Sequence, residues 1–153
     1  IVRLPKIPDF TLLVGWTGQV AITDSLIQAT EKKRKVATDS AFYKEFLKKS
    51  HAIVQGLQSA WKNEDIPALQ EGIRANRVLL NQFAKVMQLE IETPALQTLC
   101  DLAEQFGACA KTSGAGGGDC GICFTQNEAQ RQQIETKWAK AQIQVLPLTI
   151  AEA

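Results

Sequence analysis

An α+β fold of the ferredoxin-like type, β-α-β-β-α-β, is predicted by three features of this sequence. Short apolar runs end at glycine near residue 15 and again on either side of a glycine-rich stretch at 113–118. Between and after them lie longer segments whose apolar residues recur at helical spacing. Cap residues precede those segments and separate one period from the other. Without the extra helices the order is the split β-α-β unit taken twice. Its natural packing is one antiparallel sheet with the helices on one face.

Taken in order, Phe10–Val14 is mostly apolar, stops at Gly15 and reads as a buried strand. A helix capped by Thr23 or Asp24 is expected next, ending in the basic run Lys32–Lys35, where the helix dipole favours cations. Asp39 or Ser40 caps a second helix with Phe42, Tyr43, Phe46, Leu47, Val54, Leu57 and Trp61 as its apolar positions. Asp65 with Pro67 opens a third, striped by Leu69, Ile73, Leu80, Phe83 and Met87. Thr93 and Pro94 start a fourth, carrying Leu96, Leu99, Cys100, Ala103 and Phe106 and ended by Gly107. The period then changes: 108–112 and 120–124 read as two strands around the glycine stretch. Asn127 caps a fifth helix with Ile134 and Trp138, and 143–150 reads as a closing strand that Pro147 pushes toward an edge.

The chain has 153 residues, the size of a single domain. Hydrophobic residues make up 45% and charged residues 22%, enough for a core and a soluble surface. A formal net charge of +1 argues against a nucleic-acid partner, which calls for a basic face. No apolar run approaches the roughly 20 residues of a membrane span, and no signal peptide is apparent. A cytoplasmic location is expected, and the start at Ile1 reads as that of a fragment or processed product. Of the four cysteines, Cys120 and Cys123 spell C-x-x-C, but within a strand. Residues three apart on a strand point to opposite faces, which disfavours redox or metal use. No metal site is expected.

The stretch from Ser113 to Gly118 joins two strands through a turn nearly free of side chains. Glycine allows positive φ and close approach of a ligand, and successive amides can converge into an anion-binding nest. Lys111 and Ser113 flank it with a cation and a hydroxyl, and phosphate is the obvious anion. A permissive hairpin turn with no ligand is the plainer reading. No Gly-Lys-Ser/Thr follows, so this is not a Walker loop. Gly116, Gly118 and Gly121 match G-x-G-x-x-G by letter but run into a strand, whereas a dinucleotide fingerprint opens a helix. Asp119 repels phosphate directly, so it either shapes the loop through backbone amides or sits near a metal.

The run KTSGAGGGDCGI, Lys111 to Ile122, resembles the third motif of the small-molecule kinase superfamily that includes galactokinase, homoserine kinase, mevalonate kinase and phosphomevalonate kinase. Ser before the glycines and Asp-Cys-Gly after them are similar to the bacterial phosphomevalonate kinase branch. LVGWTG at Leu13–Gly18 and IETP at Ile91–Pro94 resemble segments of the same branch, in the same order. After Gly18 some members show Pro-Ala-Ser-Thr where this chain has VAIT at Val20–Thr23.

The resemblance implies residues 1–153 as the C-terminal half of a two-domain kinase, without the N-terminal ATP-binding domain. The implied reaction is phosphorylation of 5-phosphomevalonate to 5-diphosphomevalonate by ATP, in isoprenoid synthesis. ATP and Mg2+ are the implied cofactors, bound mainly by the missing domain, and that domain is the implied partner. The Pro-x-x-x-Gly-Leu-Gly-Ser-Ser loop of that domain is absent. The fragment therefore carries no catalytic residue and is expected to be inactive alone. The expected phosphate or substrate contacts are Lys111, Ser113, Gly114, Ala115, Gly116, Gly117, Gly118 and Asp119.

Trp16, Thr17, Asn76 and Arg77 are candidates to line the cleft. Each has a structural alternative: a sheet-edge aromatic for Trp16 with its neighbour Thr17, a satisfied buried amide for Asn76 and a solvated helix arginine for Arg77. His51 has no acid or nucleophile partner in its stretch and reads as structural or exposed. The rival functions are mevalonate kinase or diphosphomevalonate decarboxylase, a non-catalytic ferredoxin-like ligand-binding module, and, more remotely, a redox protein.

Overall fold

A computed structural model describes residues 7, 10–19, 41–114 and 116–148. The helix expected after Thr23, with its basic end at 32–35, and the caps expected at Asp39 or Ser40 lie outside the described residues. The described elements are β1 (Thr11–Trp16), α1 (Ala41–Lys62), α2 (Ile66–Met87), α3 (Pro94–Glu104), β2 (Cys109–Thr112), β3 (Cys120–Thr125), α4 (Glu128–Lys140) and β4 (Gln144–Val145). The sheet order is β2-β3-β1-β4 and every pairing is antiparallel. This is the ferredoxin-like order, with β3 inserted between β1 and β2, and the α+β expectation holds.

The caps act as the sequence suggests. The Asp65 carboxylate accepts the Ala68 N–H at 3.1 Å, the Thr93 hydroxyl accepts that of Leu96 at 3.4 Å, and the Asn127 side chain accepts that of Gln130 at 2.8 Å. Each satisfies one of the amides that a helix start leaves without a partner. At the other end of α2, Gln88 takes a left-handed φ of 51° and the Leu89 N–H closes on the Ala84 carbonyl at 2.9 Å. That turn directs residues 89–92 back along α2.

Strand alternation sorts the sheet into two faces. On the first, Leu13, Cys123 and Ala110 stand in one cross-strand row, and Gly15, Gly121 and Thr112 in the next. α3 and α4 cover this face through Leu99, Cys100, Ala103, Ile134 and Trp138, all fully buried. A Cβ on Gly15 would lie 2.8 Å from both Leu99 and Trp138, and one on Gly121 would lie 2.6 Å from Leu99. The paired glycines therefore form the seat on which these two side chains rest. Trp138 also satisfies its indole, donating Nε1–H to the Leu99 carbonyl at 3.0 Å.

The α1–α2 hairpin packs elsewhere. Its core residues Ala60, Leu69 and Ile73 join Ile7, Phe10 and Cys109, with Phe124 packed against them. Cys109 and Phe124 share a row on the second face, so the extra helices reach around the β2 edge to the side opposite α3 and α4. A third cluster, Phe83, Ala84, Met87 and Ile91, lies at the far end of the hairpin, backed by Phe42, Tyr43 and Phe46.

Three expectations change in detail. The additional helices, expected on one face with the others, split: the α1–α2 hairpin covers the second face because Phe10, Cys109 and Phe124 make it apolar too. Leu47 and Val54, assigned to the apolar stripe of α1, are 49% and 45% exposed. They sit one position round the helix from Phe46 and Ile53, about 100° off the face that meets α2. The closing strand, expected over 143–150, is described only at Gln144–Val145, with one further bond from the Leu146 N–H to the Val14 carbonyl. Pro147 has no N–H with which to continue it.

Candidate phosphate-binding loop

β2 and β3 form a hairpin whose turn is the glycine stretch, closed at its base by the Ser113 N–H donating to the Cys120 carbonyl at 2.9 Å. The turn is anchored on two sides. On one, the Gly117 N–H donates to the Ile91 carbonyl at 2.8 Å. On the other, the Asp119 N–H donates to the Gln19 carbonyl at 2.6 Å, and the Asp119 carbonyl accepts from the Thr17 N–H at 2.8 Å and the Thr17 hydroxyl at 3.0 Å. The segment after β1 and the segment before α3 thus hold the turn between them.

Backbone conformation explains the glycines here. Gly114, Gly116, Gly117 and Gly118 have φ of 69°, 78°, 80° and 128°, the region that side chains rarely enter. Gly116 also has no space for a side chain: a Cβ would lie 2.6 Å from Ile91 Cγ2 and closer still to its carbonyl oxygen. Asp119 is left-handed as well, at φ 61°, a position that Asp tolerates better than most residues. Its side chain is exposed and accepts only a long contact from the Cys120 thiol, at 3.6 Å. Asp119 shapes the loop with its backbone on both sides.

Three loop amides, those of Ser113, Gly117 and Asp119, are spent on carbonyls. Among the described residues, no hydrogen bond engages the amides of Gly114, Gly116 and Gly118. Gly116 and Gly118 are buried, Gly114 is exposed, and Ala115 lies outside the described residues. A buried amide without an acceptor is costly, and Gly116 and Gly118 have none among the described residues. Lys111 stands beside the loop, half-buried, with its ammonium donating to the Thr112 carbonyl at 2.7 Å. Burial lowers its pKa, and it forms no ion pair with a carboxylate among the described residues. An anion beside it would reverse that shift.

The structure brings Thr17 directly onto the loop and puts Trp16 opposite Cys120 on the half-buried second face. It treats the α2 candidates differently. One side of the Arg77 fork is committed: Nη2 donates to Glu92 Oε1 at 2.6 Å and to Asp101 at 2.7 Å, and Nε to both Glu92 oxygens at 3.1 and 2.9 Å. Its hydrogen bonds to Glu92, opposed by burial and helped by Asp101, raise its pKa. Asn76 is half-buried, and no hydrogen bond joins it to the loop among the described residues. His51 is exposed on α1.

Sequence reasoning did not single out the Ile91 carbonyl, the Gln19 carbonyl or Glu92. Backbone acceptors leave no residue-type signal. For Glu92 the available sign was an acid directly before a helix cap and 15 positions after Arg77.

The four cysteines are free. Cys120 lies on the second face and Cys123 on the first, so the C-x-x-C pair is split by the sheet. Among the described residues, no group of three His, Cys, Asp or Glu side chains could hold a metal ion. No helix among them is long and apolar enough to cross a membrane.

Comparison with known proteins bears on the fold and the family. The chain is 39% identical over 151 residues to the phosphomevalonate kinase of Streptomyces sp. (strain CL190), covering 97% of this chain and 40% of that protein. The Lin0012 protein of Listeria innocua superimposes with a TM-score of 0.88 at 33% identity, over 94% of this chain and 40% of that one. Streptococcus pneumoniae phosphomevalonate kinase, solved with phosphomevalonate and AMPPNP, gives a TM-score of 0.76 at 29% identity, over 88% of this chain and 37% of that one. The chain thus spans about 40% of the length of these relatives. The family of GHMP kinase C-terminal regions matches residues 53–144, a span that takes in α2, α3, the glycine turn and α4, and this chain belongs to that family.

Proposed function

We propose that this chain is the C-terminal part of a cytoplasmic phosphomevalonate kinase, whose glycine turn holds a phosphate during transfer from ATP to 5-phosphomevalonate. The observation that carries the reading is the loop itself. It is pinned at Gly117 and Asp119, while the amides of Gly114, Gly116 and Gly118 have no acceptor, and the ammonium of Lys111 no ion pair, among the described residues. The 39% identity to a phosphomevalonate kinase supports the choice of substrate.

Phosphoryl transfer depends on positioning and on stabilising charge that spreads over oxygens. Fixed N–H dipoles serve that purpose without reorganising during the reaction. In this reading Lys111, Ser113 and residues 114–118 contact a phosphate, Asp119 and Thr17 hold the turn in shape, and Trp16 lines the cleft. ATP and its Mg2+ belong mainly to the N-terminal domain, which this chain faces as its partner.

The test is ADP formation by the full-length protein with ATP and, separately, 5-phosphomevalonate, mevalonate or 5-diphosphomevalonate. Turnover only with 5-phosphomevalonate, and none by residues 1–153 alone, is the expected outcome. Preference for another acceptor, or turnover by the isolated chain, overturns the reading.

A further inference from the structure

We infer that Glu92, gripped by Arg77 and Asn81, is a positioning residue for the glycine turn, acting through the Ile91 carbonyl. The effect on turnover rests on the phosphate-holding role proposed above. The effect on the loop does not.

Ile91 is the point where the hairpin of α1 and α2 meets the turn. Its side chain is 8% exposed, packed with Phe83, Ala84 and Met87. Its carbonyl accepts the Gly117 N–H at 2.8 Å, and its Cα would lie 2.9 Å from a Cβ on Gly116. A shift of the Ile91 backbone therefore moves the turn, or breaks its contact with it.

The next residue fixes that backbone. The Glu92 side chain is 7% exposed and both of its oxygens are used. Oε1 accepts Arg77 Nη2 and Nε, and Oε2 accepts Arg77 Nε and, at 2.9 Å, Asn81 Nδ2. Arg77 extends the tie to α3 through Asp101. One carboxylate thus joins α2 to the 89–92 segment at the position adjacent to the loop's anchor, and Arg77 carries the tie on to α3.

A buried ion pair is weak evidence for stability, because apolar residues of similar size often serve as well. A bidentate fork does supply a fixed geometry. That is what a set of amides aimed at a transferring phosphate requires, since a misplacement of about 1 Å can cost about 100-fold in rate. Arg77, a candidate ligand from sequence, acts here through Glu92.

The experiment uses the full-length protein with Glu92→Gln, Asn81→Ala and Gly116→Ala, the second removing one hydrogen bond without unpairing a charge. Hydrogen exchange is followed without substrate in peptides covering 113–119 and, as a control, 128–140. Steady-state kinetics with ATP and 5-phosphomevalonate follow. Exchange in 113–119 is expected to rise about 10-fold or more in Glu92→Gln and Gly116→Ala and by a smaller factor in Asn81→Ala, with 128–140 unchanged. A fall in kcat of about 10- to 100-fold, at a KM for ATP within about twofold, is expected to track the exchange.

Unchanged loop exchange in Asn81→Ala and Glu92→Gln overturns the inference, whereas a kcat that stays at the wild-type level when exchange rises overturns the phosphate-holding role. If Glu92→Gln does not fold, Asn81→Ala decides. If the wild-type protein does not turn over 5-phosphomevalonate, the proposed function fails, and the exchange arm still decides whether Glu92 holds the turn.

Discussion

The molecule uses glycine in two regions for opposite purposes. Under α3 and α4, Gly15 and Gly121 face each other across β1 and β3 and leave space that Leu99 and Trp138 fill. Neither needs a left-handed backbone, and what matters there is the missing side chain. At the β2–β3 turn, glycines occupy positive φ at 114 and 116–118, and around Gly114 there is nothing within 4 Å. What matters there is backbone freedom and an open approach. Dense packing tolerates no guest, whereas in the proposed function the turn's amides hold one, with Gly114 exposed and Gly116 and Gly118 buried. If the proposed function holds, the same residue type carries stability in one region and chemistry in the other, and substitutions in the two regions should separate these properties.

The largest expected effect lies in the packed region. Trp138 is fully buried, its indole is bonded to the Leu99 carbonyl, and it rests on Gly15. Trp138→Ala leaves a cavity and an unused acceptor, at a cost of about 3–5 kcal/mol in unfolding free energy. Gly15→Ala overpacks the same site, since neither Leu99 nor Trp138 can retreat, and costs about 1–3 kcal/mol. Urea unfolding checks both. A loss below about 1 kcal/mol for Trp138→Ala would mean that this face is not the tightly packed one.

That contrast also explains what could be read from the sequence. The caps at Asp65, Thr93 and Asn127 are short-range devices, visible as residue types at fixed offsets, and all of them are used. The ferredoxin-like β-α-β-β-α-β pattern was legible in the order of the elements, and the observed strand order is the one that fold carries. The glycine turn was visible because its composition is extreme. Gly15 and Gly121 were not legible as a seat, because their significance depends on Leu99 and Trp138, which are distant in sequence. Arg77 was noticed for its chemistry but not for its partners. A guanidinium on a helix looks the same whether its fork is open or, as here, closed by Glu92 and Asp101.

The buried thiols, two on the packed face and Cys109 on the opposite one, make a second prediction. Cys100, Cys109 and Cys123 are fully buried, and burial pushes the first two up to about 12 and raises Cys123 as well. In the unfolded chain these thiols ionise near 8.5. Their stabilising contribution is therefore intact below that pH and is lost as pH rises toward the folded-state values. Three protons correspond to a slope of about 4 kcal/mol per pH unit at most, and Lys111, lowered by burial, offsets part of it. Urea unfolding between pH 7 and 10 should show stability falling above about 8.5, with a shallower fall in Cys100→Ala. A flat profile would place water around these thiols.

The smallest expected effect in stability is the sharpest test of the open region. Gly114→Ala introduces a methyl group into empty space at φ 69°. The left-handed backbone costs about 1–2 kcal/mol, and the reduced freedom of the unfolded chain returns about 0.4–1 kcal/mol. A net loss of about 1 kcal/mol should leave the full-length protein folded. If the turn is only a permissive connection, turnover is then unchanged. If its amides hold a phosphate, the methyl group stands where that phosphate must approach, and kcat/KM for 5-phosphomevalonate falls by more than the stability loss can explain. Gly15→Ala, the harsher change for the fold, should leave kcat/KM per folded molecule close to wild type. Equal kinetic losses in the two variants would remove the distinction between a packing glycine and a binding one.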